Sequence, residues 1–194
     1  MDALILLKPK TLLRIFFSLL ILFFLFVNPV YSARDTDSYD GNIYPIYAGN
    51  GSLVPPSSTL SESLKNERTS VLVFYLDDSA VSKQYAPVVS GIKLLWSSSV
   101  DLIPLSIDEL DNDDQKTFKD PGYYWHGKIP QTVIIDGKGN VLLDEEGQVS
   151  FEDINDAITR GTGLKKPDFD LTVKSFNEYN SEPSKDGYTK PRGN

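Results

Sequence analysis

The sequence predicts an α/β fold in which helices flank a central mixed sheet. Three observations favour this class. Apolar runs rich in β-branched and aromatic residues, of which 71–76 is the clearest, have the length and composition of buried strands. Segments with the apolar spacing of amphipathic helices separate some of these runs. Around residue 138, two apolar runs flank a glycine-rich turn, which predicts an antiparallel hairpin.

The predicted elements follow one another in the order β-α-β-α-β-β-α. They are a strand at 71–76, a helix that begins after Ser79 and contains Pro87, a strand within 99–107, a polar loop with a short helix at 108–120, the hairpin at 133–143, and a helix between Ser150 and the stop signals Gly161 and Gly163. Pro104 predicts a bend or an edge position for the second strand. Ahead of this core, 43–47 is expected to form a short edge strand, and Thr59 with Glu62 resembles a capping box.

The two ends of the chain differ from the domain at 34–165. Residues 1–33 combine a basic flank that includes Lys10 and Arg14, an apolar run at 15–27 and a small-residue pattern ahead of Ala33. The run is short for a spanning helix, so a cleaved signal peptide and a retained membrane anchor are alternatives. In both cases the basic flank predicts a cytoplasmic N-terminus and a domain across the membrane. The polar residues 166–194 are expected to form a flexible tail.

Composition excludes several classes of function. The 194 residues carry a net charge of −8, which argues against nucleic acid as a partner. There is no cysteine, which excludes disulfides, thiolate nucleophiles and thiolate metal sites. The acidic run at 108–120 lacks the glycine and glutamate positions of an EF-hand loop. No metal or cofactor is therefore expected.

The strand, short loop and helix that contains Ala86-Pro87 resemble the active-site element of the thioredoxin family. Counting back from Pro87, the family's CxxC motif falls on Ser79, Ala80, Val81 and Ser82. The resemblance implies a thioredoxin-like fold without redox chemistry, because a hydroxyl cannot replace the thiolate of disulfide exchange. Thioredoxins also bury an acid in the preceding strand. That position falls on Phe74, or on Val73 or Tyr75 if the register slips by one.

A second resemblance lies at Ile129-Pro130. In thioredoxins a cis-proline precedes a core strand and faces the CxxC loop, and the backbone of the residue before it pairs with bound peptide. Ile129 and Pro130 match these positions. The aromatic residues Tyr123, Tyr124 and Trp125 either pack beneath this loop or form a partner-binding rim, since Tyr and Trp are common interface anchors.

Hydrolytic chemistry is an alternative that uses the one histidine of the chain. His126 is predicted near Ser79 and Ser82 if the fold is correct, and serine activation needs such a base. However, neither serine lies in a G-x-S-x-G elbow, and the sequence identifies no acid to orient the imidazole. Ser79 is explained as a helix N-cap without any catalytic role.

Longer segments are similar to one family. These are the basic, Phe/Leu-rich leader and the stretches VLVFYLDDS, SKQYAPV and YYWHGKIPQTVIIDGKGNV. They resemble the cyanobacterial thylakoid membrane photosystem I accumulation factors. The resemblance implies a membrane-associated, non-redox assembly factor at the thylakoid membrane or in the lumen, with photosystem I subunits or assembly intermediates as partners. The periplasm is the alternative location, and an exported enzyme or a stoichiometric structural subunit are the alternative functions.

Overall fold

The computed structural model describes residues 9–25, 32–96, 98–110 and 116–166. Two compact units divide the chain at Ser32 and Ala33. The first contains helix α1, Pro9–Leu25, which is 17 residues long. Within the described ranges, no helix combines the length and the hydropathy needed to cross a membrane. The predicted tail beyond 166 lies outside the described residues.

The second unit is built on a four-stranded sheet with the strand order β2-β1-β3-β4. Its strands are β1 (Ser70–Tyr75), β2 (Asp101–Ser106), β3 (Gln131–Ile135) and β4 (Val141–Glu146). β1 runs parallel to β2 and antiparallel to β3, and β3 pairs with β4 as the predicted hairpin. The sheet is therefore mixed, as predicted. Pro104 lies in β2 at the edge, where a missing N–H donor is tolerated.

Alternate residues of β1 pack into two hydrophobic cores. Val71, Val73 and Tyr75 face the core that contains α4 (Ala80–Trp96) and α5 (Phe151–Thr162). Leu72 and Phe74 face a smaller core on the other side, together with Leu60 of α3 (Leu60–Lys65). Since every residue of β1 is buried, its continuous apolar run follows from its central position in the sheet.

The prediction of an edge strand at 43–47 is wrong, because this segment forms the helix α2, Ile43–Tyr47. The Asn42 side chain caps it by accepting the Tyr44 N–H. Pro45 lies in the first turn, where the helix does not need its N–H. The buried residues Ile43, Tyr44 and Tyr47 have helical spacing rather than the period of two that a half-buried strand shows.

The connections around the sheet also differ in part from the predictions. Within the loop and short helix expected at 108–120, the described residues show a 3-10 turn at Ile107–Glu109, and a second 3-10 turn follows at Pro121–Tyr124. Residues 111–115 lie outside the described part of the chain. α5 does not end at Gly161, because Gly163 provides the left-handed C-cap. A Cβ atom at Gly161 would lie 2.8 Å from Leu142 Cδ1, so close packing explains that glycine.

Candidate groove at the start of helix α4

The four residues at the CxxC position form the start of α4. Ser82 is buried, and its hydroxyl oxygen accepts the Leu76 N–H at 3.3 Å. The Ser79 hydroxyl oxygen accepts the Ser82 N–H at 3.4 Å, which is the geometry of an N-cap. Val81 is exposed. Both serine oxygens therefore hold the local backbone.

The loop around Pro130 lies on the same side of the domain as this motif. The Ile129–Pro130 peptide bond is cis, as the resemblance implied. The Gly147 N–H donates to the Pro130 carbonyl oxygen at 2.7 Å. The next residue, Gln148, donates from its side chain to the Val81 carbonyl oxygen at 3.3 Å. Gly147 and Gln148 thus bridge the two segments, and we call the surface formed by 79–82 and 129–130 the groove.

A buried hydrogen bond joins α4 to β3 beneath the groove. The hydroxyls of Tyr85 and Thr132 are 2.9 Å apart, and both side chains are buried. Burial raises the pKa of Tyr85 to about 12, so its phenol stays protonated at neutral pH. This contact fixes the distance between the helix and the strand that follows Pro130.

The aromatic residues 123–125 precede Pro130, and Tyr124 and Trp125 pack in the smaller core, on the face of the sheet opposite α4. They divide between the two roles that the sequence left open. Tyr124 is buried, and its hydroxyl donates to the Phe118 carbonyl oxygen at 2.8 Å. Tyr123 is 56% exposed. Trp125 is half-buried and lies against Phe74, with ring centroids 5.3 Å apart. Tyr124 is therefore a packing residue, and Tyr123 is the member that a partner can reach.

The strand before the motif carries no acid at the thioredoxin position. Phe74 is fully buried in the smaller core, and its neighbours Val73 and Tyr75 are buried in the larger one. None of these three side chains is a carboxylic acid. The groove consequently lacks both the sulfur atoms and the buried carboxyl group that thioredoxin chemistry uses.

A hydrogen-bond network around Gln131 orients His126. The Gln131 side chain accepts the His126 backbone N–H at 3.0 Å and donates to the Tyr124 carbonyl oxygen at 2.7 Å. It also donates to Asp144 Oδ1 at 2.8 Å, and Asp144 Oδ2 lies 2.8 Å from His126 Nε2. The acid that sequence reasoning could not identify is thus Asp144 on β4. No hydrogen bond links His126 to either serine in the described residues.

Lys83, directly after the motif, is the least expected feature of the site. Lys83 is the fourth residue of α4, and its side chain is completely buried. Its ammonium group donates to the backbone carbonyl oxygens of Ala33, Thr36 and Ser38 and forms a 2.7 Å ion pair with Asp40. We call residues 33–40 the N-terminal strap.

The N-terminal strap also covers the beginning of α4. Asp37 Oδ1 accepts the Ala80 N–H at 2.8 Å, and Asp35 Oδ1 accepts from the Gln84 side chain at 3.2 Å. The N-terminal strap is therefore part of the groove's wall. The sequence held a signal for it: Lys83 lies among the buried positions of α4, and a buried ammonium group needs an anionic or carbonyl partner.

The described ranges hold no group of three or more His, Asp or Glu residues arranged to bind an ion.

Comparison with known proteins adds a relative of this chain. No protein-family model matches the sequence. The thylakoid membrane protein slr1796 of Synechocystis sp. is 42% identical over 155 residues, which span 78% of this chain and 76% of the relative. The chain belongs to the family of thylakoid membrane protein slr1796.

Among solved structures, similarity to thioredoxins is found at low sequence identity. The surface-exposed lipoprotein thioredoxin Etrx1 of Streptococcus pneumoniae is 14% identical, with a TM-score of 0.41, over 52% of this chain and 89% of that one. A thioredoxin variant of Halobacterium salinarum is 16% identical, with a TM-score of 0.41, over 55% of this chain and 85% of that one. The strand order β2-β1-β3-β4 of the mixed sheet, its flanking helices and the cis-Pro130 directly before β3 are those of a thioredoxin-like fold.

Proposed function

We propose that this protein is a non-redox, thioredoxin-like binding factor that acts at the thylakoid membrane and supports the accumulation of photosystem I. The name of the relative supports the location. The resemblance of the leader and of the groove segments to photosystem I accumulation factors supports the role. In this proposal the domain is not an enzyme, and its partner is a photosystem I subunit or assembly intermediate.

The observation that carries the proposal is the unpaired backbone of Ile129. Its N–H and C=O make no hydrogen bond with any described residue, although Pro130 and Gln131 on its C-terminal side are both tied into the domain. An extended segment of a client can pair with such a backbone by strand addition, and the exposed ring of Tyr123 provides a neighbouring anchor. The hydroxyl oxygens of Ser79 and Ser82 accept backbone N–H groups, which accounts for both serines without a catalytic role.

The test is complementation of a deletion strain of the source organism. We expect the wild-type chain to restore photosystem I content and the Tyr123→Ala, Ile129→Asp double variant to fail, because it removes the anchor and places a charge where the client pairs. Leu94→Ala is the matched control, since Leu94 is 68% exposed and lies near the other end of α4 from the groove. Full restoration by the double variant, at equal protein abundance, would contradict the proposal.

Hydrolysis at His126 is a second candidate, favoured by its 2.8 Å contact with Asp144. An acid that holds one ring nitrogen leaves the other available as a general base. If this candidate is correct, the purified chain hydrolyses an activated ester above the buffer blank, and both His126→Ala and Asp144→Asn abolish the excess rate. An excess rate that persists in His126→Ala would exclude it.

A further inference from the structure

A cleft of about 320 Å³ lies at the far end of β3 from the groove. Pro130 immediately precedes β3, whereas the cleft involves the turn that follows it, so five residues or about 17 Å of strand separate the two sites. Helix α3, the 117–120 turn and the β3–β4 turn each form one wall. Its polar and aromatic lining residues are Ser61, Lys65, Phe118, Lys119 and Lys138.

The cleft is basic in a chain whose net charge is −8. Lys65, Lys119 and Lys138 each come from a different wall, and none of the residues that line the cleft is acidic. Within the described residues, none of the three ammonium groups forms a salt bridge. An anion bound in this volume is attracted by all three ammonium groups.

Nearby carboxylates are used to hold the walls of the cleft. Glu62 accepts the Thr59 N–H at 2.9 Å in the capping box of α3. Asp120 accepts the N–H and the hydroxyl of Thr117, both at 2.8 Å, and so closes the 117–120 turn. Asp136 accepts the Lys138 N–H at 2.9 Å in the hairpin turn. These contacts fix the backbones that carry the lysines.

Close packing also fixes the hairpin wall against the segment that follows α3. A Cβ atom at Gly137 would lie 2.1 Å from the Glu67 carbonyl oxygen, so no other residue fits there without a shift of the backbone. The cleft is therefore preformed by α3 and the hairpin. A preformed site loses little conformational entropy when a ligand binds.

We propose that this cleft binds a phosphate group, carried either by an anionic lipid headgroup or by free phosphate. Lysine ammonium groups bind phosphate as point charges, and the Ser61 hydroxyl adds a donor. Phe118 is 52% exposed, and the Lys119 ammonium group lies 5.7 Å from its ring centroid. An exposed aromatic ring beside lysines is typical of surfaces that contact the lipid interface.

The experiment compares the full-length wild-type chain with the triple variant Lys65→Gln, Lys119→Gln, Lys138→Gln. Inorganic phosphate is titrated while backbone amide shifts are recorded, and we expect the Gly137 and Lys138 amides to move in the wild type only. Co-sedimentation with phosphatidylglycerol and with phosphatidylcholine vesicles tests the lipid source. Because each lysine near an anionic surface contributes about 1 kcal/mol, we expect the triple variant to lose about 100-fold in partitioning to phosphatidylglycerol.

The matched control is the triple variant Lys93→Gln, Lys128→Gln, Lys165→Gln, which removes the same charge outside the cleft. Retained binding in this control supports the proposal. Amide shifts with inorganic phosphate then identify free phosphate as the ligand, and sedimentation with phosphatidylglycerol vesicles identifies a lipid headgroup. Equal losses in the two triple variants would reduce the effect to net charge and overturn the proposal. The proposal would also be overturned if the wild type showed no amide shifts with phosphate and did not prefer phosphatidylglycerol to phosphatidylcholine vesicles.

Discussion

Lys83 illustrates how a single buried charge organises the site. Moving an ammonium group out of water costs several kcal/mol, which partners must offset. Here three backbone carbonyl oxygens and the Asp40 carboxylate surround it, and the Tyr47 ring centroid lies 5.4 Å from Nζ. The lysine thereby ties the N-terminal strap to α4. The residue that follows the CxxC position therefore has a structural role in this chain.

We expect Lys83→Met to lower the free energy of unfolding by about 3 kcal/mol, because it leaves Asp40 and the strap carbonyls without their donor. Urea denaturation of both proteins measures the change. Lys93→Met is the control, since Lys93 is only partly buried and forms no ion pair within the described residues; its effect should stay within about 0.5 kcal/mol. Equal stability of the two variants would mean that the interactions of the Lys83 ammonium group do not stabilise the domain.

At the scale of the element, α4 depends on residues that are distant in sequence. Its first amide, Ala80 N–H, is satisfied by Asp37 of the N-terminal strap, 43 residues earlier. Ser79 satisfies the Ser82 N–H. Helix ends without partners for their N–H groups are unstable, so the start of α4 and the strap stabilise each other.

Asp37→Ala should therefore destabilise the domain by about 1 kcal/mol, the usual cost of losing a side chain that caps a helix. Asp37→Asn keeps the acceptor oxygen and should retain most of the stability, since Asn is an equally good cap. Hydrogen exchange at the Ala80 amide localises the effect, which we expect to accelerate in the alanine variant alone. Unchanged exchange there would show that the contact is dispensable.

For the molecule as a whole, the carboxylates set the response to acid. Hydrogen bonds from Lys83 and then Tyr47 lower the pKa of Asp40, and hydrogen bonds from Thr59 lower the pKa of Glu62. Hydrogen bonds from Thr117 lower the pKa of Asp120 in the same way. Burial raises the pKa of Asp77, which acts in the opposite direction. Among the carboxyl groups of the described residues whose pKa is shifted, those with a lowered pKa are the more numerous.

Carboxyl groups with lowered pKa values bind more protons in the unfolded chain, so their stabilisation is present above about pH 4 and is lost as the pH falls further. Asp77 adds stability on acidification and partly offsets this loss. We expect the free energy of unfolding to decrease between about pH 5 and pH 3. In Asp40→Asn that decrease should be shallower, as measured by urea denaturation across the range. An identical slope would exclude Asp40 as a contributor.

Local sequence patterns predicted most of the strands and helices. In these segments the residue types that favour the element also match the burial that the structure shows. The continuous apolar run of β1, the capping box at Thr59 and the turn between β3 and β4 each specify their element from neighbouring residues alone. The sequence prediction for 43–47 is wrong because it gives more weight to β-propensity and to Pro45 than to the helical spacing of the apolar residues. Its conformation is decided by packing of Tyr44 and Tyr47 in the larger core.

The sequence by itself determined that thiol chemistry is absent, since the chain has no cysteine. The resemblance of Ser79 to Ser82 and of Ile129-Pro130 to the positions of a thioredoxin site was also visible in the sequence. Only the tertiary structure decided that the N-terminal strap closes over Lys83, that Asp144 lies beside His126, and that three lysines from separate segments share one cleft. Each of these contacts joins residues far apart in the chain. No local pattern encodes such distances, because folding of the whole domain sets them.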